Sequence, residues 1–132
     1  MNDRDRRIVK HILRHCEEAM RTVKRFDSSI ENFEQDHVFY NACAMSLFQI
    51  GELSKRMSED FKKNHTQIPW SEMRGVRNLF AHEYESVDKK LLWETLTKDI
   101  PVLYEQLQKI YLCDISEKNG MNRPSIRPDG DI

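Results

Sequence analysis

The sequence predicts an all-α protein built as an antiparallel bundle of four to five helices. Apolar residues recur at spacings of three and four along most of the chain, which is the period of an amphipathic helix. Charged residues make up 33% of the 132 residues, and 4 Gly and 4 Pro are too few for a turn-rich sheet protein. We expect one compact domain over residues 1–113, followed by a polar, flexible tail over residues 114–132.

The first predicted helix runs from Asp3 to Phe26, with apolar residues on one face and charged residues elsewhere. His11 and His15 lie four residues apart within it, a spacing that can hold a metal ion. Ile12 replaces the Glu that a zinc-protease motif needs beside its first His, and no third ligand is evident. We therefore expect neither a metal site nor a cofactor.

The second predicted helix extends from about Phe39 to Phe61 after a turn-forming segment at residues 27–32. Gly51 lies in its interior, where glycine costs about 1 kcal/mol relative to alanine, so a close approach by another helix or by a side chain is expected there. Glu52, the next residue, is then placed to orient Arg77. The alternative is that Glu52 is an ordinary exposed glutamate.

Two further helices complete the predicted bundle. The third is shorter and begins at Pro69, after the periodicity has been interrupted. The fourth is capped by Ser86 or Asp88 and runs to about Leu112, with a kink expected at Pro101.

Cysteine usage and the N-terminus favour a cytoplasmic location. The 3 cysteines have no CxxC spacing and lie within apolar patterns, so we expect buried free thiols at Cys16, Cys43 and Cys113. The charged N-terminus is followed by no apolar run that predicts a membrane span. The net charge of -1 excludes a global basic field, so any binding to nucleic acid must use a local patch or a dimer groove.

Residues 77–84 read Arg-Asn-Leu-Phe-Ala-His-Glu-Tyr and form the segment richest in reactive side chains. Arg77 provides a permanent cation that suits phosphate oxygens, and His82 can move a proton near neutral pH. On one straight helix these two side chains would point about 140° apart, at roughly 100° per residue. Either the helix ends between them, or a second subunit completes the site, and the latter predicts a two-fold homodimer.

This segment resembles the Arg-x4-His-x-Tyr motif of the HEPN-domain superfamily, and in particular of the HepT-like toxin ribonucleases. The resemblance covers roughly residues 3–112. It extends to four further short segments, which are Ile50-Gly51-Glu52, Ile68-Pro69-Trp70, Val87-Asp88 with Trp93, and Ile100-Pro101.

The resemblance implies a metal-independent endoribonuclease, the toxin of a toxin–antitoxin pair. Arg77 and His82 would be catalytic, with Asn78 and Glu52 in support. The partner would be an MntA-like nucleotidyltransferase that silences the toxin by transferring AMP to Tyr84. RNA itself supplies a nucleophile, the ribose 2′-hydroxyl, so the protein needs only a proton carrier and a cation.

Two other interpretations stay open. In the first, the bundle is a non-catalytic nucleotide-binding or adaptor module for the nucleotidyltransferase, which the near-neutral charge favours. In the second, Arg77 only forms a salt bridge and His82 is only a cation at a helix C-terminus.

Overall fold

The computed structural model describes residues 1–122, except for the side chains of Tyr84 and residues 119–122. Within this range the chain is helical and contains no strand, which confirms the all-α prediction. The elements are α1 (Asp3–Arg25), α2 (Ile30–Gln35), α3 (His37–Lys55), α4 (Glu59–Asn64), α5 (Trp70–Glu83), a 3₁₀ turn (Tyr84–Ser86), α6 (Lys89–Glu94), a π-helical turn (Thr95–Asp99) and α7 (Ile100–Asn122).

Helix α1 forms the predicted first helix with well-defined ends. The side chain of Asn2 caps its N-terminus by accepting a hydrogen bond from the backbone N–H of Asp5 at 2.7 Å. Its apolar face is buried against α3 and α7, and α5 packs on α3. The long helices are therefore arranged in the spatial order α5, α3, α1, α7.

The predicted second helix is wrong in one respect, because the structure divides it into α3 and α4. Ser58 is the cause: its Oγ accepts a hydrogen bond from the backbone N–H of Phe61 at 3.1 Å and so starts a new helix. The same hydroxyl donates to the buried carboxylate of Asp5 at 2.5 Å, which ties the break to α1. Helix α2 was not predicted from the sequence, and its Phe33 is buried between Phe39 and Trp93 at ring distances of 5.2 and 5.3 Å.

The predicted fourth helix is capped by Asp88, which accepts a hydrogen bond from the backbone N–H of Lys90 at 2.9 Å. It then widens into the π-helical turn directly before Pro101. Proline has no N–H to donate, and its ring collides with the carbonyl four residues earlier in a regular α-helix. The wider turn accommodates the proline where the sequence predicted a kink.

The last helix continues to Asn122, beyond the predicted start of the tail at residue 114. Asp114 holds it in place, because its carboxylate accepts from Arg6 Nε at 2.6 Å and from the N-terminal amine at 3.2 Å. The flexibility of the tail stays a prediction: residues 114–122 are helical, and residues 123–132 lie outside the described part of the chain. The domain division itself stays a prediction. No helix in the described range is long and apolar enough to cross a bilayer.

Candidate active site

Helix α5 carries the Arg77 to His82 segment without interruption. It begins at Trp70, whose indole N–H donates to the carbonyl of His65 at 3.0 Å, and it ends at Glu83. The first of the two alternatives is therefore wrong, since the helix does not end between Arg77 and His82. The two side chains therefore leave one helix about 140° apart and point to different sides of it.

Gly51 of α3 brings α5 unusually close, as the sequence predicted. A Cβ atom built on Gly51 would lie 2.5 Å from the Cβ of Arg77 and 3.0 Å from the carbonyl oxygen of Met73. No side chain fits in such a space. The absence of a side chain at Gly51 therefore allows the backbone of α5 at Arg77 to pack directly against α3.

Arg77 forms a salt bridge with Glu52, in which its Nε donates to the Glu52 carboxylate. The two side chains are 24% and 22% exposed, so the pair lies at the surface but is partly shielded from water. The hydrogen bond from Arg77 holds the pKa of the Glu52 carboxyl below its usual value. The predicted contact is present, whereas a role for either residue in catalysis stays a prediction.

Asn78 forms a hydrogen bond with Arg77 and lies on the same side of α5 as His82. Its side-chain oxygen accepts a hydrogen bond from Arg77 Nη1 at 3.2 Å. Residues four apart share a helix face, so Asn78 and His82 project from α5 in similar directions. Both are exposed. A short polar line therefore runs from Glu52 through Arg77 and Asn78 towards His82.

The tyrosine of the motif lies just beyond the helix. The backbone of Tyr84 begins the 3₁₀ turn that follows α5. Its side chain lies outside the described part of the structure, so the structure does not test the prediction that Tyr84 is the modified residue.

The histidines and cysteines outside the segment form no reactive cluster. Within the described residues there is no group of three or more potential metal ligands. His15 pairs with Glu18 at 3.3 Å. Cys16 and Cys43 are buried free thiols as expected, but Cys113 is exposed, so that expectation is wrong for the last cysteine. At that point the outer turn of α7 has no helix packed over it.

The structure adds an apolar surface beside Arg77 that the sequence analysis did not identify. A hollow of about 410 Å³ lies between α3 and α5, lined by Asn41, Ala44, Met45, Phe48 and Phe80. Met45 is 57% exposed on the same face of α3 as Glu52 and Val38, which is 59% exposed. Val38 and Met45 both lie outside the buried apolar face of α3. Their spacing in the sequence shows this once the buried face is known.

A larger groove of about 650 Å³ lies on the other side of α5, between it and the segment from α6 to α7. Its lining is mostly apolar and includes Val76, Leu79, Leu91 and Val102. The described residues that line it include neither Arg77 nor His82. This groove is therefore separate from the polar line of the motif.

Comparison with known proteins identifies the family. The family model described as "Ribonuclease HepT-like" matches residues 8–110, which contain the whole segment from Gly51 to Tyr84. No solved structure was found to match the chain.

Two relatives match most of the chain. A protein of Caldanaerobacter subterraneus subsp. tengcongensis, named as an unconfirmed RNase, is 38% identical over 102 residues, covering 77% of this chain and 89% of its own. A Thermococcus cleftensis protein named "Probable ribonuclease HepT" is 36% identical over 107 residues, covering 80% of this chain and 97% of its own.

Proposed function

The chain belongs to the HepT-like ribonuclease family, and we propose that it is an endoribonuclease that cleaves RNA without a metal ion, using Arg77 and His82. One observation carries the proposal: a guanidinium oriented by Glu52 and an exposed histidine lie on one helix of the matched region. A fixed cation and an accessible proton carrier are the two groups that RNA cleavage needs from a protein.

The proposed reaction uses the 2′-hydroxyl of the ribose as the nucleophile. A base takes its proton, the 2′-oxygen bonds to phosphorus, the bond from phosphorus to the 5′-oxygen breaks, and the departing oxygen takes up a proton. The products are a 2′,3′-cyclic phosphate and a free 5′-hydroxyl. His82 would transfer one of these protons, and Arg77 would stabilise the charge that develops on the phosphoryl oxygens. In the described part of the chain, the guanidinium of Arg77 donates to Glu52 and Asn78, and its other N–H groups can contact the phosphate.

The proposed active unit is a two-fold homodimer. Since Arg77 and His82 diverge on α5, a cleft between two protomers would allow the Arg77 of one to face the His82 of the other. The exposed Met45 and Val38 on α3 support a protein contact beside this cleft. A dimer would also bring two copies of Arg77 to one place, which helps a protein of low net charge to bind RNA.

We further propose that the protein is the toxin of a toxin–antitoxin pair, silenced when an MntA-like nucleotidyltransferase transfers AMP to Tyr84. This proposal rests on the family resemblance. The phosphate of an attached AMP would carry a negative charge close to the RNA-binding groups, and its adenosine would obstruct the cleft. Intact-mass measurement after co-expression with the nucleotidyltransferase tests it. AMP units that persist in Tyr84→Phe would place the modification on another residue.

The alternative is a non-catalytic nucleotide-binding or adaptor module for the nucleotidyltransferase. The observation in its favour is that Glu52 already neutralises the charge of Arg77. In that case the protein would bind its partner but leave RNA intact.

Cleavage of RNA in the presence of EDTA distinguishes the two functions. We expect the wild-type protein to cleave, and His82→Ala to lower the rate by roughly 10² to 10⁴, the contribution of a general acid or base. His37→Ala, which removes an exposed histidine at the start of α3, is the matched control and should cleave normally. No cleavage by the pure wild-type protein would support the adaptor function.

A further inference from the structure

Helix α1 carries a line of arginines on its outer face, far from the buried side of the helix. The stripe consists of Arg4, Arg7, Arg14, Arg21 and Arg25, all of which are exposed. Their spacings place them within a sector of about 100° around the helix, opposite the apolar residues that face α3 and α7. At roughly 1.5 Å per residue, the stripe is about 32 Å long.

The arginine stripe carries five positive charges against two carboxylates in the same sector of α1, Asp3 and Glu18. Among the described residues, no ion pair involves any of its five members. Asp3 pairs with Arg6, whereas Glu18 contacts His15, whose pKa is lowered by burial, so the negative charge of Glu18 offsets part of the stripe. In a chain with a net charge of -1, the stripe is a local concentration of positive charge.

The stripe has no evident structural purpose, because the opposite face of α1 makes the core contacts. It also differs from a membrane-binding surface. A helix that lies on a bilayer inserts apolar side chains, but those of α1 face the core, and no large apolar residue of α1 is exposed. A long polyanion is the ligand that fits a long row of cations without apolar neighbours.

We propose that the arginine stripe of α1 binds the phosphate backbone of the RNA substrate, outside the cleavage site. The choice of RNA rests on the proposed function. Because α3 lies between α1 and α5, the stripe would hold nucleotides at some distance from the bond that Arg77 and His82 act on. Contacts with phosphates carry no sequence information, so the stripe would add affinity without adding sequence preference.

Binding of RNA at several salt concentrations tests the proposal, with His82→Ala as the parent protein so that the RNA is not consumed. In this parent we replace Arg7, Arg14 and Arg21 by Gln, which removes charge while keeping helix propensity. The slope of log affinity against log salt is negative, and losing three phosphate contacts should make it less negative by about 2. Binding near 0.1 M salt should weaken roughly a hundredfold. Fluorescence anisotropy of a labelled single-stranded RNA gives both values.

The matched control replaces Lys63, Lys90 and Lys98 by Gln, which makes the same change in net charge on α4, α6 and the π-helical turn. An equal loss of affinity in the control would overturn the proposal, since net charge alone would then explain binding. An unchanged slope in the stripe variant would also overturn it. The proposal would also be overturned if the stripe were needed for binding to vesicles with anionic lipid but not for binding to RNA.

The outcomes separate this inference from the proposed function. With His82 intact, the stripe variant should have a higher KM on a long RNA and an unchanged kcat, because the stripe does not touch the reacting phosphate. If the wild-type protein binds RNA through the stripe but does not cleave it, only the proposed function fails. If it cleaves RNA and the stripe variant behaves like its control, only this inference fails.

Discussion

The backbone of Gly51 lies against the first side-chain carbon of Arg77, with no room between them for a methyl group. Gly51→Ala should therefore push α5 away from α3. The overpacking costs about 1–3 kcal/mol, which exceeds the roughly 1 kcal/mol that alanine gains over glycine in a helix. We expect a lower free energy of unfolding in urea and, because Arg77 moves, slower RNA cleavage.

Gly75 provides the matched control on the helix that carries Arg77. A Cβ atom added to Gly75 meets nothing within 4 Å, so Gly75→Ala should stabilise the protein by up to about 1 kcal/mol. If both substitutions had the same effect on stability, the close approach at Gly51 would not be the reason for its glycine.

The salt bridge between Glu52 and Arg77 predicts a stability difference that depends on pH. Glu52→Gln keeps a hydrogen-bond acceptor but removes the charge. Because the pKa of Glu52 is lowered in the folded protein, its contribution is present above the ordinary carboxyl pKa of about 4.3. It is lost as the pH falls through the lowered value. In urea, the wild type should have a higher free energy of unfolding than Glu52→Gln at pH 7, and the difference should shrink as the pH falls through that lowered value. A difference in the free energy of unfolding that does not change with pH would show that the charge of Glu52 is not its cause.

The three cysteines should react very differently with an alkylating reagent. Burial raises the pKa of the Cys16 and Cys43 thiols to about 12, so almost no thiolate is present at about pH 8. Cys113 is exposed. Intact-mass measurement after iodoacetamide treatment should show one label on the folded protein and three in urea. Labelling of the folded Cys113→Ser variant would show that a buried thiol becomes accessible.

The fold could be predicted from the sequence because the periodic apolar pattern of long helices is strong. The bounds of α1 were found to within a residue. The break at Ser58 was missed because the apolar pattern continues through Met57 and Phe61, and only the cap by Ser58, held by its contact with Asp5, starts a new helix there. A single capping residue carries little signal against an uninterrupted pattern. The extension of α7 was missed for a similar reason, since Asp114 finds Arg6 only after folding.

The site was predictable where one residue explains another. Gly51 in a helix interior indicated a close approach, and Arg77 is the residue that approaches. The relation between Arg77 and His82 could not be derived, because it depends on whether α5 ends early. The helix continues past both, and the homodimer that would bring the two groups together stays a proposal.

Mixing two inactive variants tests whether the site is shared between subunits. A heterodimer of Arg77→Ala with His82→Ala contains the intact Arg77 of one protomer and the intact His82 of the other. If each site takes one residue from each protomer, one of the two sites of this dimer is complete. Random exchange makes about half of the dimers mixed, so cleavage should return to roughly a quarter of the wild-type rate.

A site formed within one protomer gives the opposite result, since neither protomer of the mixed dimer then has both residues. Cleavage would stay at the level of the two variants alone. Mixing Arg77→Ala with an Arg77→Ala and His82→Ala double variant is the control, because no cleft can then contain an intact arginine. Light scattering before and after mixing establishes that dimers are present and exchange, so that a lack of recovery contradicts the shared site and not the mixing procedure.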